Sequence, residues 1–192
     1  MSDDVRAGLR VSTTSLVWTA VTSTTAVVVG VASHTLVLVA FGATGVLDGA
    51  GSLALVLHFR HALRHEAISE ARERLAHRIV GIGLIVTGVA TAAESIRRLA
   101  VHAESHRSTF GAGLAAASIV VLALLARRKI AVAARIPSPA LRADGLLSAT
   151  GALLAVVAVL GAAVTIAWWV DAAAALVIGA AAAGTGVTSL RQ

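Results

Sequence analysis

The stretch between Arg10 and Asp48 is the feature that most limits how this chain can fold. Residues 11–47 contain His34 and no other ionisable side chain. About 20 apolar residues in a helix cross the hydrocarbon core of a bilayer, so this stretch is too long for one crossing and long enough for two. The sequence GVASH at 30–34 offers a turn between them. We therefore predict two membrane-spanning helices, near 12–31 and 34–57.

Four further apolar stretches follow, separated by charged or proline-containing segments. Residues 58–78 are rich in Arg, His and Glu, and two prolines, Pro137 and Pro139, follow the basic run at 127–129. With 57% hydrophobic and only 14% charged residues, a chain of 192 residues cannot enclose its apolar side chains in one water-soluble core. The sequence therefore predicts an all-α polytopic membrane protein with six transmembrane helices, near 12–31, 34–57, 77–99, 108–126, 145–167 and 171–190.

The basic residues are distributed unevenly between the two sides of this arrangement. If residues 1–11 form a cytoplasmic tail, only Arg97, Arg98 and Arg107 lie outside, and the other thirteen of the sixteen Lys and Arg residues face the cytoplasm. This is the positive-inside bias of membrane proteins. We expect a multi-pass protein of the cell (inner or plasma) membrane with both termini in the cytoplasm. The formal net charge of +6 then reflects orientation and contact with the lipid bilayer, not nucleic-acid binding.

Both ends of the chain fit this topology. The first ten residues, MSDDVRAGLR, lack the short apolar region and small-residue cleavage site of a secretory signal, so we expect the first apolar segment to be retained. The sixth predicted span ends at 190, and we expect no C-terminal soluble domain after it.

Asp48 is the most informative polar residue because it falls near the middle of the second predicted span. A carboxylate at that depth is costly, and such residues usually face a cavity or an ion path. Thr44 lies four residues earlier on the same helical face and offers a further oxygen ligand. In the alternative interpretation, Asp48 only fixes helix packing and Thr44 bonds back to its own helix. Gly45 and Gly49 flank Asp48 with a spacing that predicts close helix contact.

Three other acids have structural interpretations. Asp144 and Asp171 begin the fifth and sixth predicted spans, where a carboxylate caps a helix and favours the positive end of its dipole. Glu94 precedes Arg97 and Arg98 by three and four residues, which predicts a local ion pair near the outer surface.

A histidine cluster follows the second predicted span. His58, His61 and His65 are spaced by three and four residues, and Glu66 is adjacent. If the second helix continues this far, the three imidazoles share one face and can bind zinc or a similar ion. The alternative is an interfacial segment whose neighbouring arginines contact lipid phosphates.

Three segments carry a family resemblance: TLVLVAFGATGVLDGAGS at 35–52, SPALRADGLLSATG at 138–151 and WWVDAAAALVIG at 168–179. They resemble the second helix and the starts of the fifth and sixth helices of cation diffusion facilitators, the cation efflux family of six-helix exporters of zinc and related divalent metals. Glu73 and Glu94 fall where the third helix of that family often carries acids. The resemblance implies a homodimer, and it implies a metal site in the loop between helices two and three in some members.

The resemblance also implies a transport site with two ligands from helix two and two from helix five, each pair spaced by four residues. The corresponding positions here are Thr44, Asp48, Leu147 and Gly151, and only Asp48 keeps a strong ligand. Tetrahedral zinc needs four N, O or S donors, which Leu147 and Gly151 do not provide. Ser148 and Thr150 offer weak oxygens but need not face Asp48.

Two functions are open at this point. The first is a cation transporter that moves a divalent metal ion by alternating access in exchange for protons, with Asp48 at its centre and no resident cofactor. The alternative is a non-transporting membrane scaffold or regulatory partner that retains the fold, which the missing ligands motivate. An enzyme is not expected, because no nucleophile–base pair or pair of carboxylates at helical spacing lies within a predicted span.

Overall fold

Six α-helices make up nearly all of the residues that the computed structural model describes, which are 2–32, 36–65, 70–102, 109–136, 138–163 and 169–191. Each helix contains the described part of one predicted span, and most extend well beyond it. The helices are α1 (Ser2–Ala32), α2 (Leu36–His65), α3 (Glu70–Ala100), α4 (Thr109–Ala133), α5 (Pro139–Ala163) and α6 (Val170–Leu190).

The start of α5 lies six residues before the predicted one, because local capping fixes it at Pro139. Proline suits the first helical position, where its fixed φ is helical and its missing N–H is not needed. Ser138 precedes it, and the Ser138 Oγ accepts a hydrogen bond from the Leu141 N–H at 3.2 Å, as an N-cap does. Asp144 therefore lies in the second turn, and the expectation that it caps the helix is wrong.

The start of α6 also differs from the expectation that Asp171 caps it. The helix begins at Val170, and the N-cap position is Trp169, which makes no side-chain capping hydrogen bond. Asp171 is the second residue of the helix, and its side chain lies outside the described part of the structure.

The helices pack mainly as three pairs: α1 with α2, α3 with α6, and α4 with α5. Each pair is antiparallel. In the first pair, Ser15 contacts Ser52 and Thr19 contacts Asp48, so positions rise along α1 as they fall along α2. Gly45 lies against Ser23 in the same interface, which is the close contact that its spacing with Gly49 predicts.

Four glycines bring α3 and α6 together. Gly81 of α3 faces Gly186 of α6, and Gly88 of α3 faces Gly179 of α6, as expected for antiparallel helices. On each helix the two glycines are seven residues apart. A Cβ atom built on Gly88 would lie 2.5 Å from the backbone nitrogen of Ala183. The two backbones therefore touch without intervening side chains, as in many membrane helix pairs.

Helix α1 buries several hydroxyl side chains and exposes several valines. Ser12, Ser15 and Thr19 are at most 5% exposed, whereas Val17 and Val21 are 57% and 58% exposed. Water-soluble proteins show the opposite arrangement, because burying hydroxyls and exposing valines both cost free energy in water. In lipid, exposed apolar side chains on the outer face are favourable, so the pattern of this helix is that of a membrane helix.

An apolar core joins five helices at the end of the bundle where α1 begins. Phe59 is fully buried at its centre, and Gly8 of α1 packs on its ring. The buried members come from α1 to α5 and from the turn after α4: Val5, Val11, Leu55, Phe59, Ala62, Ala76, Leu125, Ala133, Ile136, Ala140 and Leu141. The starts of α1, α3 and α5 and the ends of α2 and α4 therefore lie together.

Within the described residues, three helical stretches are long and apolar enough to cross a membrane: Glu70–Ala100, Pro139–Val157 and Ala172–Leu190. Together with the outward-facing valines of α1, they identify an all-helical membrane protein.

Candidate functional site

Asp48 lies at the interface between α1 and α2. Its Oδ2 accepts a hydrogen bond of 2.9 Å from the Thr19 Oγ1. Its Oδ1 is buried, and no hydrogen-bond donor of the described residues reaches it. One carboxylate oxygen is thus held in place by the protein, and the other accepts no hydrogen bond from the described residues. Thr44 lies one turn earlier on α2, but its side chain is outside the described part of the structure.

A second polar group lies between α4 and α5. The Lys129 Nζ is 2.6 Å from the Asp144 Oδ2, and both side chains are 0% exposed. The same ammonium donates hydrogen bonds to the Ser15 Oγ at 2.7 Å and to the Ser148 Oγ at 2.9 Å. A fully buried lysine is rare unless it is paired in this way.

Ser52 connects the two groups. Its Oγ lies 3.1 Å from the Ser15 Oγ and 3.4 Å from the Asp144 Oδ2. Ser52 follows Asp48 by four residues, and Ser15 precedes Thr19 by four, so the two groups are one helical turn, about 5.4 Å, apart along the bundle. Together they form one polar centre, which we define as Ser15, Thr19, Asp48, Ser52, Lys129, Asp144 and Ser148.

The two ligand positions that the family resemblance implies on helix five lie outside this centre. Leu147 packs in an apolar cluster with Leu84 and Ala182, and a Cβ atom on Gly151 would meet Leu122. Asp144 and Ser148, each three residues earlier, keep the same four-residue spacing and turn into the centre. The oxygens that α5 supplies are therefore displaced by about one turn toward its start.

The histidine cluster does not come together as one site in the described residues. The His58 Nε2 lies 3.0 Å from the Glu73 Oε2, with the two side chains 2% and 12% exposed. His61 lies one turn further along α2, while the side chain of His65 and the whole of Glu66 lie outside the described part. No group of three His, Cys, Asp or Glu side chains within that part is arranged to hold a metal ion. A loop metal site that includes His65 and Glu66 stays a prediction.

Glu73 instead joins three helices. Its Oε1 accepts hydrogen bonds from the Ser138 Oγ at 2.8 Å and from the Ala140 N–H at 3.0 Å, both at the start of α5. Its other oxygen faces His58 of α2. An acid of α3 therefore supplies part of the N-terminal cap of α5, where the positive end of the helix dipole favours negative charge.

We expect Glu73→Ala to destabilise the protein by about 2–3 kcal/mol, because it leaves two donors at the start of α5 without their acceptor and removes the carboxylate beside the buried His58. Unfolding in mixed detergent micelles measures this change. Glu70→Ala is the matched control: Glu70 is 89% exposed, and its carboxylate lies 3.8 Å from the guanidinium of Arg74. If the two variants unfold alike, Glu73 does not hold the start of α5.

Glu94 makes the ion pairs that its spacing predicts. It accepts hydrogen bonds from the Arg97 Nε at 2.8 Å and the Arg98 Nε at 2.9 Å. The carboxylate is 44% exposed and lies far along α3 from the polar centre. Its contacts are local to one helix, so it is a surface ion pair and not part of the site.

Sequence reasoning missed most of the polar centre. Lys129 stands in the basic run at 127–129, for which the sequence predicts the cytoplasmic surface. A signal was present on α1, where Ser12, Ser15, Thr19 and Thr22 recur at intervals of three and four residues. A stripe of hydroxyls on one face of a membrane helix indicates a polar interface inside the bundle.

The sequence of this bundle also matches a known protein family. Residues 12–192 match the family model described as the cation efflux transmembrane domain. The match covers all six helices, α1 from its eleventh residue onward. No curated protein matches the chain.

Proposed function

This chain belongs to the cation efflux family, and from that membership we propose that it moves a divalent metal ion, zinc or a similar ion, across the cell membrane in exchange for protons. Members of this family transport cations. The ion, the coupled proton and the site at Asp48 are our proposal for this chain.

The observation that carries the proposal is the buried Oδ1 of Asp48, which no hydrogen-bond donor of the described residues reaches. A buried carboxylate oxygen without a donor is costly unless it binds something. Thr19 orients the carboxylate group through the Oδ2. A metal cation and a proton are the two partners that a carboxylate in this position can bind in turn.

We also propose six membrane crossings with both chain termini on the cytoplasmic side, in a homodimer. The apolar core that gathers the starts of α1, α3 and α5 supports a common end for them. The basic residues of 6–10, 60–78 and 127–142, apart from the buried Lys129, belong to that end, as the positive-inside bias requires. The homodimer rests on the family resemblance alone.

A specific observation favours a second candidate, a membrane scaffold or regulatory partner that does not transport. The Lys129 ammonium already neutralises Asp144 inside the polar centre, and Leu147 lies in an apolar cluster. A scaffold or regulatory partner requires only a bundle that is stable without a further cation.

Flux through reconstituted protein decides between the two. Liposomes that contain wild type are loaded with a metal-sensitive dye or a pH-sensitive dye, and Zn²⁺, Mn²⁺ or Cd²⁺ is added outside. We expect metal uptake with proton counterflow, and a loss of roughly ten- to a hundredfold in Asp48→Asn, the effect of removing one charged ligand.

Asp3→Asn is the matched control, because this substitution removes the same charge from a side chain that is 93% exposed at the start of α1. It should transport as wild type does. Equal inertness of wild type and Asp48→Asn toward all three metals would favour the scaffold over the transporter.

A further inference from the structure

The Lys129 ammonium is surrounded by oxygens as a bound cation would be. Four oxygens lie around the Nζ: the Asp144 Oδ2 at 2.6 Å, the Ser15 Oγ at 2.7 Å, the Ser148 Oγ at 2.9 Å and the Ser52 Oγ at 3.5 Å. They come from three helices, α1, α2 and α5, while the lysine itself comes from α4. An ammonium has three protons, and the three nearest oxygens accept them.

The four oxygens around the Nζ suit other cations as well as an ammonium. One carboxylate and three hydroxyls are hard oxygen ligands, the kind that bind ammonium, alkali and alkaline-earth ions alike. Every one of these side chains is at most 1% exposed, so bulk water cannot reach the oxygens and take the place of the ammonium. The four groups are a cation site whose occupant is attached to the chain.

The charges of the polar centre then determine what else it holds. Asp48 and Asp144 contribute two negative charges when ionised, and Lys129 contributes one positive charge, which leaves one negative charge uncompensated. That charge is on Asp48, one helical turn from Ser52 and close enough for strong coupling in a medium of low dielectric constant.

From this geometry we infer that Lys129 is a tethered cation that fills a second cation site of the bundle, beside Asp48, and sets how much positive charge the centre accepts. This inference rests on the proposed function only where it concerns the transported ion. Without the ammonium, the centre has two uncompensated carboxylates, which favour a divalent ion over a monovalent one. Lys129 is in this sense a specificity-determining residue.

The first test replaces the tethered cation by a free one. Lys129→Ala removes three carbons and the ammonium, the atoms of n-propylammonium. We expect the variant to melt about 10 °C below wild type in detergent, and 50 mM propylammonium chloride to recover at least half of that loss. Tetramethylammonium chloride, which has the same charge and no N–H, should recover none. Arg128→Ala, an exposed neighbour, should respond to neither salt.

The second test measures charge preference and does not need Lys129→Ala to fold. Lys129→Met keeps the apolar part of the side chain and removes the ammonium with its charge. We expect it to bind Co²⁺, measured by its visible absorption and by titration calorimetry, at least tenfold more tightly than wild type does. The further change Asp144→Asn should cancel the gain.

The outcomes separate this inference from the transport proposal. Failure of propylammonium to raise the melting temperature, or unchanged Co²⁺ affinity in Lys129→Met, would show that Lys129 and Asp144 are a structural ion pair only. If propylammonium restores the melting temperature of Lys129→Ala but the wild type shows no metal flux, the tethered-cation inference holds and the transport proposal is wrong.

Discussion

Asp144→Asn is expected to be about 3–5 kcal/mol less stable than wild type, because it leaves the Lys129 ammonium charged and buried without its carboxylate. Both side chains are 0% exposed, so water cannot compensate for the lost partner. The three serine hydroxyls remain as hydrogen-bond acceptors, but none carries a charge. Equilibrium unfolding in mixed micelles, followed by circular dichroism, measures the loss.

The double variant Asp144→Asn/Lys129→Met should recover most of that stability, since neither charge then remains in the interior. Glu94→Gln provides the contrast. Glu94 also pairs with arginine at 2.8 Å, but in a position 44% exposed, where ion pairs contribute little. If Asp144→Asn is no less stable than Glu94→Gln, the buried pair is not what holds α4 and α5 to the bundle.

Gly88→Val should separate α3 from α6 and destabilise the protein by about 3 kcal/mol or more. The first added carbon would lie 2.5 Å from the Ala183 nitrogen and from the Gly179 oxygen, which are backbone atoms that cannot rotate away. The helices must therefore move apart along the whole contact. The free energy of unfolding and the rate of disulfide formation between cysteines introduced across the two helices both report this.

Gly184→Ala is the matched control on the same helix pair. A Cβ atom on Gly184 meets nothing within 4 Å, and alanine has the higher helix propensity by about 1 kcal/mol. This variant should be as stable as wild type or slightly more so. Destabilisation of the same size in both variants would mean that glycine is needed for flexibility and not for close approach.

The helical architecture could be predicted from the sequence because lipid imposes simple requirements. Backbone groups must bond within the segment, and a span needs about 20 apolar residues, so the charge-free run at 11–47 already requires helices. The start of α5 could not be located in this way. Pro139 and Ser138 mark it by capping chemistry, while the charge-based estimate began the span only after Asp144.

The polar centre was only partly predictable, for a physical reason. Asp48 stands out because it is alone in an apolar segment, but Lys129 belongs to a basic run and gives no sign of its burial. Which of three adjacent cations turns inward depends on how α4 meets α1 and α5, and no local pattern encodes that. The family resemblance places the ligands of helix five at Leu147 and Gly151, whereas the oxygens that enter the polar centre belong to Asp144 and Ser148, about one turn earlier.

The contacts of the Lys129 ammonium are divided between two of the three helix pairs of the bundle. Asp144 and Ser148 lie on α5, the partner helix of α4, whereas Ser15 and Ser52 belong to the pair formed by α1 and α2. At the polar centre, the seam between these two pairs is crossed by hydrogen bonds of the Ser15 and Ser52 hydroxyls, two with the ammonium and one with Asp144, and each is far weaker than the ion pair beside it. A tilt of one pair against the other would break these hydroxyl contacts before the ion pair. The ammonium would travel with its carboxylate, so such a tilt would leave neither charge of the Lys129–Asp144 pair without its partner.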